Sequence, residues 1–78
     1  MPNEFDLAKS IEFNEKAEAQ AVYDYTELLK IVSEMTIDEN IREMVVNDIS
    51  EIIADELNHQ EKLHKLYTEI VGIKANED

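Results

Sequence analysis

The sequence predicts an all-α protein, an antiparallel two-helix hairpin that dimerises into a four-helix bundle. Apolar residues recur at alternating spacings of four and three along nearly the whole chain, a pattern typical of a bundle seam. The one proline and the one glycine, Pro2 and Gly72, lie near the ends and leave the interior uninterrupted. Because 78 residues bury little apolar surface, we expect residues 1–78 to form one small domain stabilised by a partner subunit or a metal.

Helix 1 is predicted from about Asp6 to Glu34. Its seam positions are Leu7, Ile11, Asn14, Glu18, Ala21, Tyr25, Leu28, Val32 and Met35. A second set of apolar residues falls about 140° away from Glu18 on a helical wheel, on the expected outward face. This set comprises Phe5, Phe13, Tyr23 and Ile31. Several apolar residues on an outward face can mark a further interface, so a higher oligomer than the dimer is also an expectation.

Helix 2 is predicted from about Ile37 to Val71, after a break near Thr36. Thr36 and Glu39 have the spacing of a capping box, and Asp38 is a second candidate for the N-cap. Gly72 fits the position directly after a helix end. The seam positions are Val45, Ile49, Ile52, Glu56, His59, Leu63, Leu66 and Ile70. So short a connection makes the two helices antiparallel neighbours.

The charge balance excludes several classes of protein. A formal net charge of −12 leaves too few cations to neutralise a run of phosphates, so neither nucleic acid nor an anionic membrane is an expected partner. The chain has no cysteine, which excludes disulfides and thiolate chemistry. No secretory signal or membrane-length apolar run is recognisable, and we expect a cytoplasmic protein. An acidic surface also concentrates cations, Fe²⁺ among them.

Three ionisable residues, Glu18, Glu56 and His59, interrupt the apolar seams. A buried carboxylate without a partner costs several kcal/mol. Glu18 lies 18 residues before Thr36 and Glu56 lies 20 residues after it, so their heights in a hairpin differ by only ~3 Å. Glu56 and His59 are one turn apart on the same helix face. Two carboxylates and an imidazole in one layer of a core predict a metal site.

One chain supplies too few ligands for two metals, but two chains supply four glutamates and two histidines. That is the ligand set of di-iron carboxylate sites in helix bundles, and four carboxylates neutralise two divalent cations. The spacing Glu-x-x-His also occurs at Glu61 and His64. On the helical wheel, Glu61 falls on the solvent side and His64 on the flank, so we interpret both as surface residues.

Two segments resemble half of a rubrerythrin or another ferritin-like di-iron protein. Glu18-Ala-Gln-Ala-Val-Tyr-Asp-Tyr25 is similar to the first-helix motif, and Ala54-Asp-Glu56-Leu-Asn-His59 to the second. The resemblance implies that Glu18 is a terminal ligand, Glu56 a bridging ligand, His59 a terminal nitrogen ligand and Tyr25 a hydrogen-bond donor to a ligand carboxylate. With one helix pair and no cysteine-ligated domain, the layout is closer to encapsulated ferritins, whose site also forms between chains. The tail after residue 72 does not resemble their docking peptide.

The function expected from these residues is redox chemistry of a di-iron site with O₂ or peroxide. A ligand list does not separate a ferroxidase or a peroxidase-like oxidoreductase from a protein without turnover, so the sequence leaves enzymatic activity open. Mn or Zn would suit the same ligands in a non-catalytic metal-binding protein. A metal-free structural or adaptor hairpin is the third hypothesis. Asn14, Glu15 and Gln60 are further polar candidates near the site, with Glu15 either an additional ligand or a carboxylate on the metal's path inward.

Overall fold

The computed structural model describes residues 3–76 and consists of two helices joined by a short connection. Helix α1 spans Glu4–Glu34 and helix α2 spans Glu39–Ala75. They run antiparallel as a rod with extents of 61 × 17 × 16 Å. The described residues contain no strand, so the predicted all-α hairpin is confirmed. Within residues 3–76, no helix combines the length and the apolar character needed to cross a membrane.

Helix α1 begins earlier than predicted because Asn3 caps it. Asn3 Oδ1 accepts hydrogen bonds from the backbone N–H groups of Phe5 at 3.0 Å and Asp6 at 3.1 Å. The Asp6 carboxylate in turn accepts one from the Asn3 N–H at 2.9 Å. This reciprocal arrangement is a capping box, and it satisfies N–H groups that the first helical turn leaves unpaired. The predicted start at Asp6 placed the boundary inside the first turn.

The predicted capping box at Thr36 and Glu39 is wrong, and the alternative N-cap, Asp38, is the observed one. Helix α1 ends where the backbone of Met35 turns extended, at φ −80° and ψ 147°. Asp38 Oδ1 then accepts hydrogen bonds from the N–H groups of Asn40 at 2.9 Å and Ile41 at 3.2 Å. Its short carboxylate lies nearer the free N–H groups, so α2 starts at Glu39 rather than at residue 37.

Arg42 of α2 closes the end of α1. The last turn of α1 contains no basic residue, although cations stabilise the carbonyl end of a helix. The Arg42 guanidinium supplies that charge from the neighbouring helix. It donates hydrogen bonds to the carbonyl oxygens of Val32 at 3.1 Å, Ser33 at 3.0 Å and Met35 at 2.6 Å. One side chain therefore fixes the position of both helices at the turn.

Gly72 lies inside α2 and does not end it, so the predicted end at Val71 is wrong. The helix continues to Ala75, and the N–H of Asn76 donates to the carbonyl oxygens of Gly72 and Ile73, both at 3.2 Å. No described glycine has positive φ, so the backbone has no left-handed cap at this point. Gly72 costs some helix stability, but a glycine in ordinary helical geometry does not stop a helix.

The hairpin buries little of its apolar surface. Among the described residues, only Ala8 and Val32 are buried. Thirteen large apolar side chains are exposed. Single exposed apolar residues are ordinary in a folded protein, but residues that adjoin one another can form an interface. Phe5, Phe13, Tyr23 and Ile31 are among them, as the wheel predicts for an outward face. The two helices alone therefore do not form a complete hydrophobic core.

The two sides of the seam differ in character. We call one side the open face, since it carries exposed apolar side chains at about −20° to −100° from Glu18 on α1 or from Glu56 on α2. Because antiparallel helices place angles of equal sign on the same side, these residues adjoin one another: Leu7, Leu28, Met35, Ile41, Leu66 and Ile73. The polar side lies at about +20° to +120°. It carries Glu12, Glu15, Gln60, His64 and Tyr67, together with two exposed apolar residues, Leu57 and Val71.

Candidate metal centre

The structure brings Glu18, Glu56 and His59 together. Each offers one ligand atom, and these atoms all lie within 4.8 Å of one another. Glu18 projects from α1, whereas Glu56 and His59 project from α2 one helical turn apart. The antiparallel pairing gives the residues the common height that the sequence predicts. Among residues 3–76, this is the only such group of three or more potential metal-ligating side chains.

The Glu18 carboxylate lacks a hydrogen-bond partner. Its Oε2 atom is buried and accepts no hydrogen bond from any described residue. The nearest cationic candidate, His59 Nδ1, is 3.8 Å away, which is too far for a hydrogen bond. A buried carboxylate oxygen without a donor or a cation destabilises a folded protein. The group therefore has the chemistry of an incomplete site, and a cation placed among the three ligand atoms would satisfy this oxygen.

The spacing of the donor atoms suits a metal after a small adjustment. Two ligand atoms bound to one tetrahedral cation at 2.0–2.2 Å lie ~3.4 Å apart. The 3.8 Å between Glu18 Oε2 and His59 Nδ1 must therefore shorten by less than about 1 Å, and separations of up to 4.8 Å within the group by up to about 1.4 Å. Side-chain rotation achieves this without moving either helix. The donor set of two carboxylates and one imidazole fits Fe²⁺, Mn²⁺ and Zn²⁺.

The group opens toward the open face. Glu18 and Glu56 are part-buried, whereas 53% of the His59 side chain is exposed, compared with 27% for Glu18. On the wheel, His59 lies about −60° from Glu56, in the sector of the exposed apolar residues. The candidate centre is thus accessible to solvent from the open face.

Asn14 and Tyr25, two residues predicted to lie near the site, form no described hydrogen bond to the three candidate ligands. The side chain of Asn14 is exposed and its Nδ2 donates to the carbonyl oxygen of Ser10 at 2.8 Å. Tyr25 is part-buried on the seam, but within residues 3–76 its hydroxyl has no hydrogen bond to a carboxylate. The role that the resemblance implies for Tyr25 remains a prediction.

Glu15, Gln60 and His64 lie together on the polar side instead. His64 Nδ1 is 3.1 Å from Glu15 Oε1, a contact between the two helices. His64 is exposed, as predicted, and its contact with Glu15 was not predicted from the sequence. Wheel angles alone do not show which residues of two helices face each other across a flank. Glu61 is exposed and lies outside the metal-ligand group, as the register predicts.

A second carboxylate on the polar side is that of Glu12. Hydrogen bonds from Lys16 and from Tyr67 lower the pKa of the Glu12 carboxyl below its usual value of 4.5. The same interaction with Glu12 raises the pKa of the Tyr67 hydroxyl above 10.0. Lys16 Nζ is 3.3 Å from Glu12 Oε1. Glu12 thus interacts with Lys16 and Tyr67, whereas Glu15 interacts with His64.

Comparisons with protein-family models, with curated proteins and with solved structures find no match to this chain.

Proposed function

We propose that this protein binds a pair of redox-active metal ions between two copies of the chain, with Glu18, Glu56 and His59 of each copy as ligands. The observation that carries the proposal is the convergence of these three side chains around a buried, unpartnered oxygen of Glu18. Among the described residues, no hydrogen bond accounts for that oxygen. A divalent cation would offset the cost of burying it.

Two copies are proposed because the group is incomplete and the open face is apolar. Three protein ligands leave a transition-metal ion short of its usual coordination. A second hairpin docked on the open face would cover its exposed leucine, isoleucine and methionine side chains and bring a second set of ligands toward the first. The apolar contact and the ligand count therefore favour the same arrangement. The four carboxylates would balance the charge of two divalent cations.

Iron is the favoured metal because carboxylate oxygens stabilise the ferric state as well as the ferrous one. When bound, a di-iron pair would supply electron transfer to O₂ or peroxide, which is the chemistry of iron oxidation and peroxide removal. The protein's own residues would hold the metals, balance their charge and, through the apolar open face, limit the access of water. The resemblance of the two helix motifs to ferritin-like di-iron proteins points in the same direction.

The first experiment is native mass spectrometry after anaerobic loading with Fe²⁺. The wild type is compared with Glu56→Ala and with the control Glu61→Ala, which removes a glutamate of the same helix outside the ligand group. Glu56→Ala should carry two fewer metals per dimer, while Glu61→Ala should match the wild type. A dimer that binds no metal, or equal metal loss in both variants, would refute the proposal.

Redox activity needs a separate measurement. An O₂-dependent absorbance change after Fe²⁺ addition, lost in Glu56→Ala, would establish oxidation at this site. Metal binding without that change would leave storage, delivery or structural support with Mn²⁺ or Zn²⁺ as the function.

The exposed apolar surface favours a second candidate, a metal-free adaptor hairpin. Replacing Glu56 and His59 with leucine distinguishes the two. A metal protein should lose metal and gain stability in the absence of metal, because two polar groups leave the seam. An adaptor should instead change its oligomeric state or its partner, since polar seam residues then set the register.

A further inference from the structure

The polar side of the hairpin contains a cleft of about 290 Å³, about one helical turn farther from the connection than the candidate metal centre. It lies between the helices, and the small side chain of Ala19 leaves room for it. Its other lining residues are Glu12, Glu15, Lys16, Gln60, His64 and Tyr67. Apart from Ala19 and the cationic Lys16, every lining residue offers an oxygen or nitrogen atom as a possible metal ligand. None of them belongs to the ligand group on the opposite side.

Glu15 and His64 are the centre of this cleft. Glu15 Oε1 and His64 Nδ1 are 3.1 Å apart, slightly less than the ~3.4 Å between two ligand atoms bound to one tetrahedral Zn²⁺ at 2.0–2.2 Å. The Glu15 side chain is only 24% exposed, whereas that of His64 is 67% exposed. The carboxylate is thus mostly removed from water while the imidazole faces the cleft opening. A cation entering from solvent would meet both donors without a change in the backbone.

We infer that this cleft is a second site for a divalent transition-metal ion, of the class of Zn²⁺, with the Glu15 carboxylate and the neutral His64 imidazole as its protein ligands. Water completes the coordination, as it does in sites with few protein ligands. The nearby Glu12 adds negative charge, and Lys16, which also lines the cleft, pairs with Glu12 at 3.3 Å. This inference does not rest on the proposed function, since it uses none of its ligands.

The competing interpretation is an ordinary ion pair between protonated His64 and Glu15. An exposed pair of this kind contributes about 0–1 kcal/mol, and it explains the contact without explaining the cleft. The two interpretations differ in what they predict for added metal. A metal ligand must be deprotonated, so Zn²⁺ and a proton compete for His64 at a metal site, whereas Zn²⁺ has no effect on a simple ion pair.

The test uses the two histidines of the chain as reporters, since His59 belongs to one site and His64 to the other. Imidazole resonances are followed by NMR while Zn²⁺ is added to the Glu56→Ala variant, with His64 assigned from His64→Gln. Isothermal titration calorimetry gives the affinity for Zn²⁺. The same titrations are run on Glu15→Gln and on Glu61→Gln, each combined with Glu56→Ala.

The expected result in Glu56→Ala is a shift of the His64 resonances as one Zn²⁺ per chain binds in the cleft. Any binding that Glu18 and His59 retain shows separately, as a shift of the His59 resonances. Glu15→Gln should weaken this binding by about tenfold or more, in line with the usual cost of disturbing a metal site. Glu61→Gln should leave it unchanged, because Glu61 is the residue three positions before His64 in the same helix but not its contact. Absence of Zn²⁺ binding in Glu56→Ala, or equal affinity in Glu15→Gln, would overturn the inference.

The wild type provides a check that does not depend on the folding of any variant. There, Zn²⁺ should shift the resonances of both histidines, and lowering the pH should release the metal from His64. Zn²⁺ that shifts only the resonances of His59 would overturn the second site and leave the proposed function intact. Zn²⁺ that shifts only those of His64 would support the second site and count against the proposed function.

Discussion

Replacing Arg42 with methionine removes the guanidinium that holds the turn together while keeping an unbranched apolar stem. Arg42 donates three hydrogen bonds to the last carbonyl groups of α1, at 3.1, 3.0 and 2.6 Å. Its side chain is 23% exposed, and the bond to Val32 is part-buried whereas those to Ser33 and Met35 are exposed. The contact of Nε with Glu39 at 3.3 Å contributes little, because Glu39 is 84% exposed.

The expected loss follows from the number of bonds. At about 1 kcal/mol net for each hydrogen bond, with somewhat more for a charged donor, Arg42→Met should lower the free energy of unfolding by about 2–4 kcal/mol. For a domain of this size, that corresponds to a drop in Tm of roughly 10–30 °C. Arg42→Lys keeps the charge but loses the planar fork that reaches three carbonyl groups at once, so an intermediate loss is expected.

The assay is urea and thermal unfolding followed by circular dichroism, without metal and at one fixed protein concentration, since assembly also changes apparent stability. Lys62→Met is the control, because it removes an exposed positive charge from the same helix. Its effect should stay within about 0.5 kcal/mol of the wild type. If Arg42→Met is as stable as Lys62→Met, the guanidinium does not hold the turn, and the reasoning is refuted.

Three further substitutions test the helix ends and the polar side. Asp38→Ala should destabilise the hairpin by about 1 kcal/mol through loss of the N-cap, whereas Thr36→Ala should have almost no effect; equal losses in urea unfolding would contradict the assignment of the cap. Gly72→Ala should stabilise by about 0.5–1 kcal/mol, because the position is helical and an added Cβ meets nothing within 4 Å; an unchanged or lower urea midpoint would contradict it. Lys16→Met should lower stability at neutral pH by weakening the ion pair with Glu12. Because the pKa of Glu12 is lowered in the folded state, this contribution is present above the unfolded pKa and is lost as pH falls through the folded value, so the Tm curves of the variant and the wild type should converge in acid.

The sequence predicts the hairpin and the convergence of Glu18, Glu56 and His59 for one physical reason. Both depend on regular helical repeats, because the constant rise and rotation per residue determine where each side chain lies over five turns of a straight helix. Once a break is placed near residue 36, the height of every side chain is determined. The helix period alone predicts that Glu56 and His59 share one face of α2. The position of the turn alone predicts that Glu18 lies at their height on α1.

The helix ends were less predictable because several polar residues compete for each cap. Asn3 and Asp6 form a capping box with different residue types from the usual serine or threonine with glutamate. At the turn, Thr36 and Asp38 are both good N-caps in isolation. At the other end, Gly72 continues the helix, since a helix end depends on the neighbouring residues as well as on a single glycine.

The contacts between helices on the polar side were not predictable from the period alone. A wheel places Glu15 and His64 on the flanks of their own helices, but their meeting depends on how the two flanks face each other and on long side chains. Arg42 is a similar case, because its stem reaches back ten residues along the chain to Val32. A cationic residue just after a helix that lacks a basic last turn is a signal that would have suggested this contact.

The hydrogen bonds between Arg42 and the end of α1 also have a consequence for the order of folding. The contact of Arg42 with Val32 closes a segment of ten residues, whereas the contact of His59 with Glu18 closes one of 41. The longer closure costs about 1.2 kcal/mol more in chain entropy, so the hairpin is expected to zip from its turn and to bring the candidate ligands together late. Groups that meet after the transition state affect unfolding more than folding. A bound metal should therefore lengthen the lifetime of the folded chain and leave its rate of formation almost unchanged.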